Sequence, residues 1–365
     1  MYHSTDRWLI DPTSAYMRVP LYWFSIKGQL GVVIFFVISG YCITAAAYAA
    51  LVSGKSLGRY GYERVRRIYP PYLAALALGA GSFLLIGYAN AHHLIGEVHH
   101  LQVVPWDLRY WVANLFLLQY EMHTQMLNIV FWSLGYEVVF YLMIGLFMQG
   151  GKWIKVKRDL YAGTVFFVCA LGVSTMLTLG GMIWYNQPFF PFDMWHQFSI
   201  GGLLFFLIEL KPGTMSSYSA KFKAIVVANV TAVVILTLAF AHYCLVGEVG
   251  FAHPDSKERA VVCLVFAALL IGLRKVDERV ASHLLFRPLM WVGAFSYSLY
   301  LVHPIVIPYI DILCRKAGMD GSRYWMALWA QVIVAVAISR VFYMVIERRF
   351  ISKRQAERLL VEHVA

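Results

Sequence analysis

Charged residues are scarce in this sequence. Only 14% of its 365 residues are Asp, Glu, Lys or Arg, whereas 60% are hydrophobic. This balance excludes an ordinary soluble domain and is typical of a chain that crosses a membrane several times. The few charges give a net charge of +11. In a membrane protein an excess of Lys and Arg first reflects topology, so we expect no nucleic-acid partner.

The sequence also lacks paired cysteines and nucleotide-binding motifs. Its five cysteines are scattered, mostly within apolar runs, so we expect no metal centre and no disulfide framework. It contains no Walker-type Gly-Lys-Ser/Thr, no G-x-G-x-x-G and no nucleophile elbow. Histidines are frequent between residues 92 and 123, but their spacing matches no zinc template and predicts a solvated loop.

Long apolar runs dominate instead. The hydrocarbon core of a bilayer is roughly 30 Å thick, so a helix of about 20 apolar residues crosses it while satisfying its own backbone hydrogen bonds. The predicted spans are residues 28–52, 71–91, 129–149, 161–185, 195–209, 222–244, 260–274, 288–312 and 323–346. The shorter segment 106–120 predicts a re-entrant or interfacial helix. The predicted fold is all-α, a polytopic transmembrane helical bundle.

Lys and Arg are distributed unevenly between the loops that connect these spans. The loops on the side of Arg64, together with the C-terminal segment, hold 21 of the 31 Lys and Arg, and the opposite loops hold nine. Positive residues concentrate on the cytoplasmic side of membrane proteins. We therefore predict a multi-pass protein of the inner (plasma) membrane with a cytoplasmic C-terminus and the 93–128 loop outside.

A dense basic patch follows the first predicted span. Arg64 and Arg67 are three residues apart, so in a helix both guanidinium groups leave one face and could hold a polyanion. The alternative is an ordinary cytoplasmic flank, which is also basic. Pro70 and Pro71 are predicted to end this segment and to begin the next helix.

Four motifs occur in order along the chain. They are Gly28, Gly31 and Val32 with Phe35-Phe36 and Ser39-Gly40-Tyr41; Arg64 and Arg67 before Ile68-Tyr69-Pro70-Pro71-Tyr72; Trp132-Ser133-Leu134 with Glu137 and Phe140-Tyr141; and Ser296-Tyr297-Ser298-Leu299-Tyr300-Leu301 with His303, followed by Glu347. In content, order and spacing they resemble the acyltransferase 3 family of integral membrane O-acyltransferases. The resemblance covers essentially the whole chain.

The resemblance implies an activity. Members of this family transfer an acyl group, most often acetyl, from acyl-CoA to a hydroxyl of a carbohydrate or glycolipid. Acyl-CoA (acetyl-CoA) is then a donor substrate, and we expect no permanently bound cofactor. We expect an acyltransferase domain over residues 1–349 and a basic amphipathic tail over residues 350–365 that lies on the inner leaflet.

The resemblance also implies about ten spans, the first of which we expect to be truncated in this sequence. In the family a first helix ends in a histidine, which His3 matches, and carries an arginine about three turns upstream, which is absent here. His3 is the expected catalytic base, because a neutral imidazole accepts the proton of an attacking hydroxyl near pH 7. A solvated histidine near the terminus is the alternative.

Further roles follow from the same resemblance. Arg64 and Arg67 are expected to bind the phosphates of coenzyme A, because planar guanidinium groups pair with phosphoryl oxygens. His303 is expected to line the acceptor route, unless it only hydrogen-bonds across helices. Arg340 and Glu347, near the inner end of the last span, could pair with each other or meet coenzyme A, and we favour a structural role.

Ser133, Glu137 and Tyr141 recur at intervals of four residues, so they share one face of a helix. The resemblance implies that Glu137 orients His3 or contacts the acceptor and that Ser133 donates a hydrogen bond nearby. Tyr141 is expected to bind substrate. The alternative for Glu137 is a structural salt bridge, since an intramembrane carboxylate usually faces a partner.

Two other functions share several of these features. A secondary transporter would also have about ten spans and a buried carboxylate, but it should show related halves, and we find no such repeat. A catalytically dead accessory membrane protein is the second alternative, and the truncated first helix favours it.

Overall fold

The computed structural model describes residues 27–93, 107–187, 190–209, 219–246, 256–274, 276, 283–319 and 324–351. Within these ranges the chain is helical and forms no β-strand, which confirms the predicted all-α class. The α-helices are α1 (Gly31–Ser53), α2 (Leu57–Ala91), α3 (Leu108–Phe116), α4 (Phe131–Lys157), α5 (Leu160–Tyr185), α6 (Trp195–Glu209), α7 (Ser219–Val246), α8 (Ser256–Leu273), α9 (Arg287–Gly293), α10 (Ser296–Lys316) and α11 (Tyr324–Val345). Short 3-10 turns occur at Lys27–Leu30, Leu284–Phe286 and Glu347–Arg349.

Seven helices in the described part of the chain are long and apolar enough to cross a bilayer: α1, α2, α4, α5, α7, α10 and α11. This confirms a polytopic helical membrane protein. Predicted spans 195–209 and 260–274 are also helical, but their apolar length is short. α6 has 15 residues, and α8 begins with Lys257, Glu258 and Arg259 in its first turn. Their crossing of the bilayer stays a prediction.

The prediction that Pro70 and Pro71 separate two segments was wrong, because α2 continues through both prolines. Proline removes a backbone donor and crowds the preceding turn, but transmembrane helices tolerate it where neighbouring groups hold the backbone. The carbonyls that lose a helical donor are those of Arg66 and Arg67, four residues before each proline. Next to them, Tyr297 donates to the carbonyl of Ile68 at 3.0 Å, and the hydroxyl of Tyr72, the residue after Pro71, anchors the helix to the carbonyl of Asn114.

The described residues fall into two compact units. The first unit comprises the described residues of Met1–Gln29, Val65–Leu134 and Glu278–Ala365, and the second comprises those of Leu30–Arg64 and Gly135–Asp277. The boundary between the units falls within α2 and within α4, so that one end of each helix belongs to each unit. Each unit is therefore built from segments that are distant in sequence.

In the second unit, α1 and α6 touch backbone to backbone. A Cβ atom added to Gly40 would overlap the carbonyl of Phe198, and one added to Gly201 would overlap the carbonyl of Val37. The ring of Phe36 stacks on that of Phe198, with 4.3 Å between centroids. Small residues that admit a second backbone are the usual means of packing helices in lipid, where hydrophobic burial gives little drive.

This contact predicts that substitution by alanine at two glycines of α1 changes the stability of the protein by very different amounts. Gly40→Ala is expected to destabilise the protein by about 1–3 kcal/mol, because the new methyl group must displace the α6 backbone. Gly31→Ala is the matched control, since nothing lies within 4 Å of the point that its new methyl group would occupy. It is expected to be neutral or stabilising by up to about 1 kcal/mol. Thermal unfolding of the detergent-solubilised protein measures both, and equal melting temperatures would contradict the prediction.

In the first unit, the nine-residue helix α3 has the length expected of the predicted re-entrant or interfacial segment. The completely buried Asn114 ties it to the following loop. Its amide nitrogen donates to the carbonyls of Tyr110 and Gln125, at 3.0 and 3.1 Å, and its amide oxygen accepts from the backbone N–H of Leu127 at 2.9 Å. One side chain therefore contacts the loop that leads into α4 at two points, the carbonyl of Gln125 and the N–H of Leu127.

Candidate active site

The acidic residue next to the basic patch is already paired. Glu63 accepts from the Nζ of Lys55 at 2.8 Å and lies 3.6 Å from the Nε of Arg59, one turn before it. These pairs leave Arg64, the next residue of α2, without that carboxylate as a hydrogen-bond partner. Arg64 lies in the second unit, where its charge interacts with that of Glu63 and its guanidinium lies near aromatic rings.

The Arg64 guanidinium lies over two tyrosine rings. Its central carbon is 5.8 Å from the ring centroid of Tyr60 and 6.0 Å from that of Tyr141. A guanidinium over a ring face gains from the ring quadrupole while its in-plane N–H groups can still donate to an anion.

Two buried donors in this cluster have no acceptor among the described residues. They are the Nε–H of Arg64 and the hydroxyl of Tyr60, whose residue is only 3% exposed. Buried polar groups are nearly always hydrogen-bonded, and each exception calls for an explanation.

Tyr141 connects this cluster to Glu137. Its hydroxyl donates to a carboxylate oxygen of Glu137 at 3.3 Å, one turn earlier on α4. Glu137 is buried, with 7% of its surface exposed. The second unit therefore brings together Arg64, Tyr141 and Glu137, three residues that the sequence singled out separately.

Ser133, in the first unit, is completely buried and bonded to α10. Its hydroxyl shares a hydrogen bond with the hydroxyl of Tyr300 and donates to the carbonyl of Val130 at 3.2 Å. The Tyr300 hydroxyl also lies 3.0 Å from this carbonyl, and its single hydrogen can serve either that oxygen or the hydroxyl of Ser133. In this arrangement Ser133 links α4 to α10.

His303 follows on α10 and is half-buried. Its Nδ1 lies 2.8 Å from the carbonyl oxygen of Leu299, which can only accept, so Nδ1 carries the proton. In the neutral ring Nε2 is then an acceptor. The hydrogen bond is made within one helix, which differs from the cross-helix bond considered as the alternative from the sequence.

Arg67 lies beside a buried carboxylate, unlike Arg64. Glu347 is 4% exposed and accepts from the backbone N–H of Ser298 at 3.1 Å and from its hydroxyl. The positive charge that interacts with this carboxylate is that of Arg67. Glu347 therefore does not pair with Arg340, which lies against aromatic rings instead.

Comparison with known proteins decides the family. The family model described as "Acyltransferase domain" matches residues 1–344. The chain belongs to this acyltransferase family. The resemblance that the four motifs predicted is thereby confirmed, and it holds over nearly the whole sequence.

Two curated relatives of this acyltransferase are named as O-acetyltransferases. A putative peptidoglycan O-acetyltransferase, YrhL of Bacillus subtilis (strain 168), is 24% identical over 333 residues, which is 88% of this chain and 50% of that protein. An O-acetyl transferase of Shigella phage Sf6 is 22% identical over 341 residues, or 91% of this chain and 88% of that protein. The chain thus spans about half the length of the Bacillus protein. No solved structure matches it significantly.

Two expected features of the acyltransferase lie outside the described residues. These are His3 and the amphipathic tail over 350–365, of which only the first two residues are described. Among the residues that the structure does describe, no group of three or more His, Cys, Asp or Glu side chains could hold a metal ion.

Sequence reasoning missed two residues of the candidate site. Tyr60 forms one wall beside Arg64, and its position one turn earlier on the same helix was a usable signal. Ser298 binds Glu347 across 49 residues of sequence, and only the tertiary fold shows that contact.

Proposed function

We propose that this membrane acyltransferase moves an acyl group, most often acetyl, from acyl-CoA to a hydroxyl of a carbohydrate or glycolipid. One observation carries the donor half of the proposal: Arg64 and Tyr60 hold buried donors that lack acceptors among the described residues. The phosphates of coenzyme A would supply those acceptors. Guanidinium and hydroxyl donors around a desolvated phosphate form charge-assisted hydrogen bonds, which are stronger than those between neutral groups.

Arg64 is the principal phosphate ligand in this proposal, and Arg67, three residues later on α2, is the second. Their environments indicate that the two arginines contribute unequally to the affinity for the acyl donor. Arg64 has aromatic neighbours and an unused donor, and the carboxylate that it interacts with, Glu63, is already bonded to Lys55, whereas Arg67 interacts with the buried Glu347. We therefore assign most of the donor affinity to Arg64 and a smaller share to Arg67.

The acceptor half rests on His3, Glu137 and Ser133. In the proposed reaction the acceptor hydroxyl attacks the thioester carbonyl, and His3 takes the hydroxyl proton. The new C–O bond forms, the C–S bond breaks, and the thiolate of coenzyme A leaves and takes up a proton. Glu137 orients the imidazole or the acceptor, Ser133 donates a hydrogen bond near the reacting oxygen, and Tyr141 and His303 contact the substrates.

The acceptor class is supported by the relatives, both of which are named for O-acetyl transfer, one of them to peptidoglycan. The membrane side is supported by the loop charges, which favour the inner (plasma) membrane with a cytoplasmic C-terminus. Arg64 and Arg67 are then cytoplasmic, where acyl-CoA is found, and His3 is near the outer half. The donor would thread its pantetheine arm toward an acceptor that approaches from outside.

The direct test uses the full chain in proteoliposomes. With acetyl-CoA supplied on one side, the release of free coenzyme A is expected to require both the protein and a hydroxyl acceptor such as a peptidoglycan fragment or lipid-linked sugar. Mass spectrometry of the acceptor should show one added acetyl group. Solute uptake without any acyl donor would instead support the transporter, and no activity in either assay would support the dead accessory protein.

A further inference from the structure

Arg340 lies within the last span and is surrounded by aromatic rings. Its central guanidinium carbon is 5.2 Å from the ring centroid of Tyr343, 5.4 Å from that of Trp291 and 5.5 Å from that of Phe295. All four residues belong to the first unit. Over the described ranges, no ion pair within 4.0 Å involves Arg340.

An arginine inside a membrane span is costly unless it meets an anion or reaches the interface. The three rings offset part of this cost, since a guanidinium gains from the electron-rich face of each ring. A planar guanidinium has two faces, so at least one of the three rings lies toward its edge, and the N–H donors that are not directed at that ring can bind an anion. This geometry matches the oxygens of a phosphate.

The position of Arg340 along α11 is close to a membrane surface. The helix is followed by Arg348 and Arg349, which mark its basic, polar end. Arg340 precedes Arg348 by eight residues, or about 12 Å along a helix axis. An arginine side chain extends toward the interface from such a depth, and an anion in the headgroup layer is then its nearest charged partner.

A short apolar helix lies beside this position. α9 carries Trp291, which contacts Arg340, and exposes Leu289 at 67% of its surface, while Leu285 in the preceding turn is exposed at 71%. Exposed leucines on a short helix, with a tryptophan and an arginine adjacent, are typical of a segment that lies at the boundary between headgroups and acyl chains.

We propose that Arg340, with the rings of Trp291, Phe295 and Tyr343, binds the phosphate of an anionic phospholipid headgroup. The rings hold the guanidinium in place, the fork donates to the phosphate oxygens, and the exposed Leu285 and Leu289 contact the acyl chains. A soluble phosphate would use the same fork but not the leucines. This site does not depend on the proposed acyl-transfer reaction.

The test measures lipid binding to the full chain in detergent by thermal unfolding. Dihexanoyl phosphatidylglycerol is the anionic probe, and dihexanoyl phosphatidylcholine and inorganic phosphate are the comparison probes. Arg340→Gln is expected to weaken phosphatidylglycerol binding about tenfold or more, because charge-assisted hydrogen bonds are lost. Arg158→Gln is the matched control: it removes the same charge from an exposed loop residue, and binding should stay within about twofold of the wild type.

Three results would overturn the proposal. Equal weakening by Arg340→Gln and Arg158→Gln would show only a general charge effect. Equal affinity of the wild type for phosphatidylglycerol and phosphatidylcholine would show that the anionic headgroup is not recognised. An effect of inorganic phosphate that depends on Arg340, with none of phosphatidylglycerol, would assign the fork to a soluble ligand.

A second variant keeps the test decisive if Arg340→Gln does not fold. Trp291 is 38% exposed, so Trp291→Ala should fold while removing one wall beside the guanidinium. It is expected to weaken phosphatidylglycerol binding about threefold, in keeping with one exposed cation–π contact of about 0.5–1 kcal/mol. If Arg340→Gln does not fold and Trp291→Ala binds like the wild type, the proposal fails.

Discussion

Arg64→Gln is expected to raise the KM for acyl-CoA by about ten- to a hundredfold while kcat changes much less. The reason is that Arg64 contacts tyrosine rings and has an unused buried donor, so its loss removes hydrogen bonds to the donor phosphates rather than hydrogen bonds within the protein. Charge-assisted bonds of this kind contribute about 1.5–3 kcal/mol, and about 1.4 kcal/mol corresponds to a factor of ten. Steady-state kinetics with varied acetyl-CoA measure the effect.

Two variants control this result. Arg66→Gln removes a neighbouring charge that is exposed, and it should leave the KM for acyl-CoA nearly unchanged. Arg64→Lys keeps the charge but loses the planar fork, so an intermediate KM is expected. If Arg66→Gln raised the KM as much as Arg64→Gln, the basic patch would be acting only as a positive flank of the span.

Glu137→Gln is expected to lower kcat by about 10²- to 10⁴-fold with little change in the KM for acyl-CoA. The carboxylate is buried and accepts from Tyr141, which contacts Arg64, so it lies next to the proposed donor site without being a phosphate ligand. The expected size is that of losing general acid–base assistance or its orientation. The melting temperature should stay near that of the wild type, because glutamine keeps the size and the acceptor oxygen.

A double-mutant cycle with His3→Ala separates the two proposed roles of Glu137. If Glu137 acts by orienting His3, Glu137→Gln should cost nothing further in the His3→Ala background, since residues that act as one unit are strongly non-additive. If Glu137 contacts the acceptor independently, the two losses should multiply. A large drop in melting temperature with unchanged kcat would instead assign Glu137 a structural role.

The sequence predicted the helices well, because a long apolar segment in lipid must satisfy its own backbone hydrogen bonds and a helix does so. It failed where tertiary contacts override a local rule. Pro70 and Pro71 carry a strong local signal for a helix boundary, yet α2 continues through them beside hydroxyl donors from elsewhere in the chain. The predicted span over 288–312 is divided between α9 and α10. There the buried Phe295 fills the break.

The candidate site was predicted residue by residue but not as an arrangement. By spacing alone Arg64 and Arg67 are equivalent, and only the fold shows that one meets tyrosine rings and the other a buried carboxylate. For Arg340 the sequence favoured a structural role, with Glu347 as one candidate partner. Its aromatic partner Trp291 lies 49 residues earlier, which no local pattern could indicate.

The glycine contact between α1 and α6 has a consequence for biogenesis. Gly40 and Gly201 are separated by 161 residues, which a ribosome adds in roughly 8 to 30 s at about 5–20 residues per second. During that interval α6 does not exist, so the face of α1 that carries Gly40 has no α6 backbone to pack against. The close contact between α1 and α6 therefore forms only after the helices between them have been made.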